Sequence, residues 1–128
     1  MNKIFINLSN HPTSGWTPEQ INAALEMTNN APLIDIQFPS IDPEMTTIEV
    51  HKLSHEIFNK ICNLITEYDA DQIILHVMGE MCFTYNIINL CKYNDNIICI
   101  ASTTKRNVIE DKNGIKKSVF EFVQFRQY

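Results

Sequence analysis

The chain has 128 residues, a hydrophobic fraction of 45% and a net charge of −5, values that suit a single folded domain over residues 1–128. The negative charge argues against general binding to long nucleic acids, and no apolar run reaches the roughly 18 residues that a membrane span needs. The start at Met1 turns polar too soon for a signal peptide, so we expect a cytoplasmic protein.

The first strand and the first helix are predicted from local signals. Residues 3–8 (KIFINL) form a short apolar run that is typical of a buried strand. After a polar stretch, Thr17 and Gln20 have capping-box spacing around Pro18, which is favoured at the first helical position. These residues predict a helix that ends near Met27.

The next two elements repeat this strand–helix pattern. Residues 33–38 (LIDIQF) alternate between apolar and polar side chains and predict a second strand. Thr46 and Glu49 repeat the capping-box spacing, and the apolar residues that follow recur every 3.6 positions to about Tyr68. A second, longer amphipathic helix is therefore expected.

The third strand–helix unit is more apolar than the first two. Residues 72–77 (QIILHV) are nearly all apolar, as expected for a strand covered by helices on both faces. Residues 81–93 predict a third helix, and residues 96–101 (NIICIA) predict a fourth buried strand. Residues 102–106 (STTKR) are expected to leave the sheet as a polar turn.

The chain ends in a predicted β-hairpin, with strands at about residues 105–110 and 117–125 joined by a turn that contains Asn113 and Gly114. The whole order is β1-α1-β2-α2-β3-α3-β4 and a hairpin. It predicts an α/β fold with a Rossmann-like, mostly parallel sheet and a C-terminal antiparallel β-hairpin. The favoured strand order, 2-1-3-4 with the hairpin beyond, reverses between strands 1 and 3, where open α/β sheets bind ligands.

Three polar turns are expected to meet above the strand ends at this reversal. They follow strands 1, 3 and 4, and their hydroxyl, amide and glycine positions suit a small anionic ligand. The predicted ligand-binding residues are Ser9, Asn10, Met78, Gly79, Glu80, Thr84, Ser102, Thr103 and Thr104.

Within these turns, Gly79 lacks a side chain, which leaves space for a ligand to approach the backbone, and it opens a helix whose amides favour an anion. The turn alone also accounts for a glycine. Glu80 could hold a ribose hydroxyl, act as a base, or cap the helix. Lys105 and Arg106 follow three hydroxyl residues, a combination that suits phosphate.

Aromatic and histidine side chains have competing interpretations. His11 could position or protonate a leaving oxygen, or it could be an ordinary loop residue. His76 lies in a buried strand, where a core histidine is the favoured interpretation. Trp16 precedes the first helix, and a hydrophobic staple is favoured over a base-stacking platform.

No metal or cofactor is predicted. The four cysteines contain no Cys-x-x-Cys pair and lie among apolar residues, so buried thiols in a reducing compartment are favoured over a disulfide or zinc site. His51 and His55 have i, i+4 spacing but lack a third ligand, and a solvated helix face is favoured.

The layout resembles the CARF domain (CRISPR-associated Rossmann fold) and the small stand-alone ring nucleases related to it. The resemblance lies in the polar turn at residues 8–12, the glycine turn at residues 78–84 and the closing hairpin. As architecture it covers nearly the whole chain. The chain departs from many CARF domains in having Glu80 and Met81 where they carry a second glycine and a lysine.

The resemblance implies a homodimer that binds a cyclic oligoadenylate across its two-fold axis, with no membrane or long nucleic acid as partner. It also implies cleavage without a metal, by attack of a ribose 2′-hydroxyl on the adjacent phosphate, which switches off CRISPR-type antiviral signalling. Lys105 or Arg106 would stabilise the phosphorane, Ser9 and Thr103 would hold the phosphate, and His11 would act as acid or base.

Other functions stay open at this point. The same crevice could bind or sequester a cyclic nucleotide without chemistry, or an unrelated enzyme could use Glu80 and His76. Alternatively, the chain could be a protein-interaction dimer with no nucleotide ligand. In that case Phe120, Phe122 and Phe125 would point to both faces of the sheet and need a partner to cover some of them.

Overall fold

A computed structural model describes residues 1–128 as three helices packed on one five-stranded sheet. The strands are β1 (Lys3–Ser9), β2 (Leu33–Asp35), β3 (Gln72–Met78), β4 (Ile97–Glu110) and β5 (Lys116–Gln127). The helices are α1 (Pro18–Met27), α2 (Thr47–Glu67) and α3 (Met81–Cys91), with a 3-10 turn at Thr13–Gly15 before α1.

The strand order is β2-β1-β3-β4-β5, with β1 to β4 parallel and β5 antiparallel to β4. The predicted α/β, Rossmann-like class and the predicted strand order are therefore confirmed. The order reverses between β1 and β3, so the crevice expected of open parallel sheets lies at their carboxyl ends.

Both predicted capping boxes begin helices. The Thr17 hydroxyl accepts a hydrogen bond from the Gln20 amide at 3.4 Å, with Pro18 as the first residue of α1. The Thr46 hydroxyl accepts from the Glu49 amide at 3.2 Å and starts α2. These bonds satisfy amides that a helix start leaves free.

The sheet has a core on each face. One face carries a small cluster of Phe5, Ala24, Ile74 and Ile100 beneath α1. On the other face, α2 and α3 pack on the sheet in a cluster of sixteen buried residues, among them Ile6, Leu75 and Phe83. Because successive strand residues point to opposite faces, covering both faces requires the continuous apolar runs seen in β1 and β3.

Strand β2 is shorter than predicted, since pairing with β1 covers only residues 33–35. Beyond Asp35 the chain leaves the sheet, and the Phe38 ring packs edge-on against Phe83 with centroids 5.1 Å apart. The alternation of apolar and polar residues over residues 33–38 therefore predicts a longer strand than the one that forms. Helix α3 also ends at Cys91, two residues before its predicted end.

The predicted turn at residues 102–106 is wrong, because these residues lie within the continuous strand β4. β5 pairs with β4 from Ile100↔Gln127 to Glu110↔Lys116, so the first strand of the predicted hairpin is the distal half of β4. The polar composition reflects exposure, because residues 102–103 are half-buried and residues 104–106 are exposed. The Asn-Gly turn is confirmed, with Gly114 at φ 77°.

A β-bulge interrupts the ribbon between Thr103 and Thr104. Thr103 pairs with Gln124 and Thr104 pairs with Phe122, so one extra residue of β5 is accommodated. Simple alternation would place Phe122 and Phe125 on opposite faces. Their ring centroids are instead 4.9 Å apart on one face, which corrects the expectation that these aromatic residues point both ways.

None of the helices is both long enough and apolar enough to cross a lipid bilayer.

Candidate functional site

A cleft of about 530 Å³ opens at the carboxyl ends of β1 and β3, on the face of the sheet that carries α1. It contains seven of the predicted site residues, drawn from all three expected segments: Ser9, Asn10, His11, Met78, Gly79, Ser102 and Thr104. The other lining residues are Gly15, Trp16, Thr17, Gln20, His76, Phe120 and Phe122. The cleft thus occupies the position expected from the strand order.

The walls of the cleft are polar but carry no carboxylate, lysine or arginine. Six side chains offer hydroxyl or amide groups: Ser9, Asn10, Thr17, Gln20, Ser102 and Thr104. Three aromatic rings form the apolar part: Trp16, Phe120 and Phe122. An anion can therefore enter without meeting a negative charge, although the protein as a whole is acidic.

Beneath the cleft, Asn7 is the centre of a buried hydrogen-bond network. Its Nδ2 donates to Asp35 Oδ1 at 2.9 Å and to the His11 carbonyl at 2.8 Å. Its Oδ1 accepts from Ser9 Oγ at 2.8 Å and from His76 Nδ1 at 2.9 Å. The network fixes the turn after β1. A buried asparagine inside an otherwise apolar strand is the sequence signal for this network.

His76 is neutral at the base of this network. The Asn7 amide oxygen only accepts, so Nδ1 carries the ring proton and Nε2 is left as an acceptor, buried and without a partner. Burial, and secondly the nearby His11, lowers the pKa of His76 to about 4. The Trp16 ring covers the imidazole edge-on at 5.2 Å. His76 is thus a core histidine, as favoured from the sequence, and also part of the cleft wall.

The helix α3 amides do not form the expected anion site, because Glu80 caps the helix itself. Its Oε1 accepts from the Cys82 amide at 3.0 Å and its Oε2 from the Phe83 amide at 2.8 Å. The bonds from Phe83 and then Cys82 lower the pKa of Glu80 despite some desolvation. Of the three roles considered for Glu80, the geometry supports helix capping.

Gly79 has its own structural reason. A Cβ at this position would overlap the Phe38 ring, so the space left by the missing side chain is filled by Phe38. The expectation that this space admits a ligand is therefore wrong, although Gly79 still borders the cleft. Thr84 lies in α3 outside the cleft, with its hydroxyl buried and unpaired.

The hydroxyl residues of β4 divide between the two faces of the strand. Ser102 and Thr104 line the cleft, and Ser102 Oγ donates to Met78 Sδ at 3.1 Å. Thr103 instead bonds across the ribbon, accepting from the Gln124 amide at 3.2 Å and donating to its carbonyl at 3.1 Å. Thr103 is not brought to the cleft.

The two predicted cations also separate. Lys105 lies directly across from Glu121, and Arg106 directly across from Phe120. Residues directly opposite in an antiparallel pair share a face, so Arg106 lies on the face of the cleft residue Phe120 and Lys105 on the other. Arg106 Nε also donates to Ser118 Oγ at 3.1 Å, which holds the guanidinium against the ribbon.

The family assignment comes from a sequence comparison. The family described as "Uncharacterized protein MJ1673 family" matches residues 3–126. The chain belongs to this family. A search of curated protein sequences found no match.

Among solved structures, Enterococcus italicus Csm6 bound to cyclic hexa-2'-fluoro-hexa-dAMP aligns with 80% of this chain at 14% sequence identity and a TM-score of 0.44. This chain covers 26% of the length of that one.

A second, larger depression of about 680 Å³ in this MJ1673-family protein lies between the first turns of α2 and α3. Its lining includes the carboxylates of Asp42 and Glu80 beside apolar residues such as Met45 and Met81. Those carboxylates disfavour an anionic ligand. The smaller cleft, with its convergent hydroxyl and amide groups, is therefore the better candidate site for one.

Proposed function

We propose that the cleft binds a cyclic oligoadenylate. The observation that carries this proposal is the lining of the cleft, which combines six hydroxyl and amide side chains with three aromatic rings and no carboxylate. Phosphate and ribose oxygens suit the polar groups, and adenine rings suit the aromatic ones. The sequence resemblance to CARF domains at the turn after β1 and at the closing hairpin supports the same ligand.

The charge distribution favours an anion at this edge of the sheet. Residues 101–128 carry a net charge of +3, whereas residues 1–100 carry −8. The positive end is the β4–β5 ribbon, which forms one side of the cleft. Arg106 supplies the cation on the cleft face, and salt screening will weaken its contribution.

The ring is proposed to lie across the two-fold axis of a homodimer, with one cleft on each side. A two-fold ligand site gives both subunits the same contacts, which suits a ring of repeated nucleotides. The ribbon also exposes apolar side chains on both of its faces, Val108, Ile109 and Ile115, which a second copy can cover.

Cleavage is the finer part of the proposal. A ribose 2′-oxygen attacks the adjacent phosphorus in line, forming a P–O2′ bond while the P–O5′ bond breaks. The products are a 2′,3′-cyclic phosphate and a 5′-hydroxyl, and the proton lost by the 2′-hydroxyl is balanced by one gained at O5′. His11 is assigned to one of these proton transfers and Arg106 to the charge on the phosphorane.

Binding without cleavage is the second candidate function. It is favoured by the small number of titratable groups in the cleft, which are His11 and the buried His76. His76 is a weak base because its pKa is about 4, so one exposed histidine remains for two proton transfers. A protein of this kind would sequester the ring rather than open it.

Thermal melting with cyclic oligoadenylates of several ring sizes, cyclic dinucleotides and AMP tests the binding proposal. A ring that binds only the folded state raises the Tm by mass action. Chromatography of the recovered ligand then separates cleavage from sequestration. The variants are His11→Ala in the cleft and His55→Ala, an exposed histidine on α2, as its control.

We expect a cyclic oligoadenylate to raise the Tm of the parent protein and to raise the Tm of His55→Ala by the same amount. If His11→Ala keeps the binding but loses the cleaved product, His11 takes part in the chemistry. A Tm that no nucleotide shifts would contradict the binding proposal, and intact ligand after long incubation with the parent protein would select sequestration.

A further inference from the structure

The bulge in the ribbon gives the cleft an apolar wall that alternation alone would not provide. Thr104 pairs with Phe122, and Val123 is the extra residue of the bulge. Phe122 and Phe125 therefore share a face. Phe120 precedes Phe122 by two residues in β5, so it lies on the same face, and both rings line the cleft. Bulges near binding sites commonly re-aim a side chain in this way.

Three phenylalanine rings, Phe5, Phe125 and Phe122, form a row that runs from the protein core to the cleft. Phe5 and Phe125 are 5.6 Å apart between centroids, and Phe125 and Phe122 are 4.9 Å apart. Phe5 is fully buried and Phe125 and Phe122 are half-buried, whereas Phe120, which lines the cleft beside Phe122, is 66% exposed. The ring of Phe120 is therefore open to a ligand.

Trp16 is less suited to receive a ligand ring. Its indole packs edge-on against Phe5 at 5.9 Å and against His76 at 5.2 Å. Its Nε1 donates to the His11 carbonyl at 2.9 Å, so the indole is held in place on several sides. These contacts hold Trp16 as part of the core beneath α1, and they leave stacking to the rings of β5.

The groups around Phe120 indicate what kind of ligand fits. Arg106 lies directly across from Phe120, which puts a cation beside the exposed ring. Hydroxyl and amide groups of Ser9, Asn10 and Thr104 line the same cleft. A ligand that satisfies all of these carries a flat aromatic group, an anionic group and several hydrogen-bonding oxygens. A nucleotide has this chemistry.

We infer that Phe120 and Phe122 form a stacking platform for the base of a nucleotide bound in the cleft. This inference rests on the proposed nucleotide-binding function and adds a recognition element on β5 to it. The base would stack on Phe120 while its phosphate faces Arg106 and the hydroxyl side of the cleft.

Fluorescence titration tests the platform, because Trp16 is the only tryptophan and lines the same cleft. The ligands are AMP and a cyclic oligoadenylate, with ribose 5-phosphate as the ligand that lacks a base. The variants are Phe120→Ala and Phe120→Tyr, with Val123→Ala as a matched control that is 56% exposed on β5 and does not line the cleft.

Phe120→Ala is expected to weaken binding of the base-bearing ligands by roughly 5- to 150-fold, the usual range for a lost base-aromatic stack. Affinity for ribose 5-phosphate should stay within about twofold of the parent value, because that ligand has no base to stack. Phe120→Tyr should restore most of the lost affinity, and Val123→Ala should match the parent protein.

Four results would overturn the platform. If Phe120→Ala binds AMP and the ring as tightly as the parent protein does, the cleft binds nucleotides without it and the proposed function survives. Equal losses for AMP and ribose 5-phosphate would indicate a disturbed phosphate site. A change in sedimentation mass without ligand would show that Phe120 belongs to an interface between copies. Failure of the parent protein to bind any nucleotide would reject the proposed function as well.

Discussion

The parallel part of the sheet and the β4–β5 ribbon differ in almost every physical property. All 25 buried residues precede Ala101, whereas the ribbon beyond it carries exposed apolar side chains such as Val108, Ile115 and Phe120. Residues 1–100 carry a net charge of −8, whereas residues 101–128, which form most of the ribbon, carry +3. A two-stranded ribbon has little stability of its own, so the buried core within residues 1–100 holds the fold, and we propose that the ribbon supplies binding surface. Substitutions in the two regions should therefore affect different measurements.

The largest expected contrast is between two phenylalanines. Phe83 is fully buried against α2 and β3, and Phe83→Ala should lower the free energy of unfolding by about 3–5 kcal/mol, because it leaves a cavity. Phe120→Ala should change it by about 0.5 kcal/mol or less. Urea unfolding of both variants measures the contrast, and losses of similar size would contradict the division between the two regions.

His76, which is buried in β3, predicts a pH dependence of the free energy of unfolding that arises in the parallel part of the sheet. The pKa of His76 is about 4 in the folded protein, below the 6.5 of an unperturbed histidine. As the pH falls below 6.5, the histidine binds a proton in the unfolded chain before it does so in the folded protein. The free energy of unfolding therefore falls by about 3 kcal/mol between pH 6.5 and about pH 4.

His76→Gln isolates this contribution, because glutamine does not titrate and its amide can still donate to Asn7. The stability difference between the parent protein and this variant should narrow or reverse between pH 6.5 and 4. Parallel stability curves over that range would show that His76 is not held neutral.

A smaller contrast compares two threonines. Thr46 caps α2 with its hydroxyl, and Thr46→Ala should cost about 1 kcal/mol in the free energy of unfolding. Thr104 lies on the exposed ribbon and lines the cleft, so Thr104→Ala should cost less than about 0.5 kcal/mol. Thermal melts at matched concentration check the order, and the reverse order would contradict the assignment of α2 to the stabilising part.

Predictions from the sequence succeeded where the deciding interactions were local. The two capping boxes and the Asn-Gly turn each act within a few residues, and all three formed as expected. The strand order followed from the alternation of strands and helices, which leaves few right-handed arrangements.

The main failures involve partners distant in sequence. Residues 102–106 look like a turn by composition, but their pairing with β5 extends the strand. Gly79 looked like a place for a ligand, but Phe38 fills the space. The bulge that brings Phe122 beside Phe125 cannot be seen in an alternating pattern, and it decides which side chains reach the cleft.

The same lesson applies to the two neighbouring cations of β4. By sequence Lys105 and Arg106 are equivalent candidates, and pairing with Glu121 and Phe120 separates them onto opposite faces. We therefore propose Arg106, and not Lys105, as the cation that faces the ligand. The two residues provide a matched pair of charge-removing substitutions.

The most direct test of the account is the affinity of Arg106→Ala and Lys105→Ala for a cyclic oligoadenylate, measured by calorimetry at one fixed salt concentration. We expect Arg106→Ala to weaken binding by about tenfold or more, as expected when a charge-assisted hydrogen bond is lost, and Lys105→Ala to stay within about threefold of the parent protein. A larger loss for Lys105→Ala, or equal losses for both, would mean that the ligand does not lie in the cleft on the α1 face.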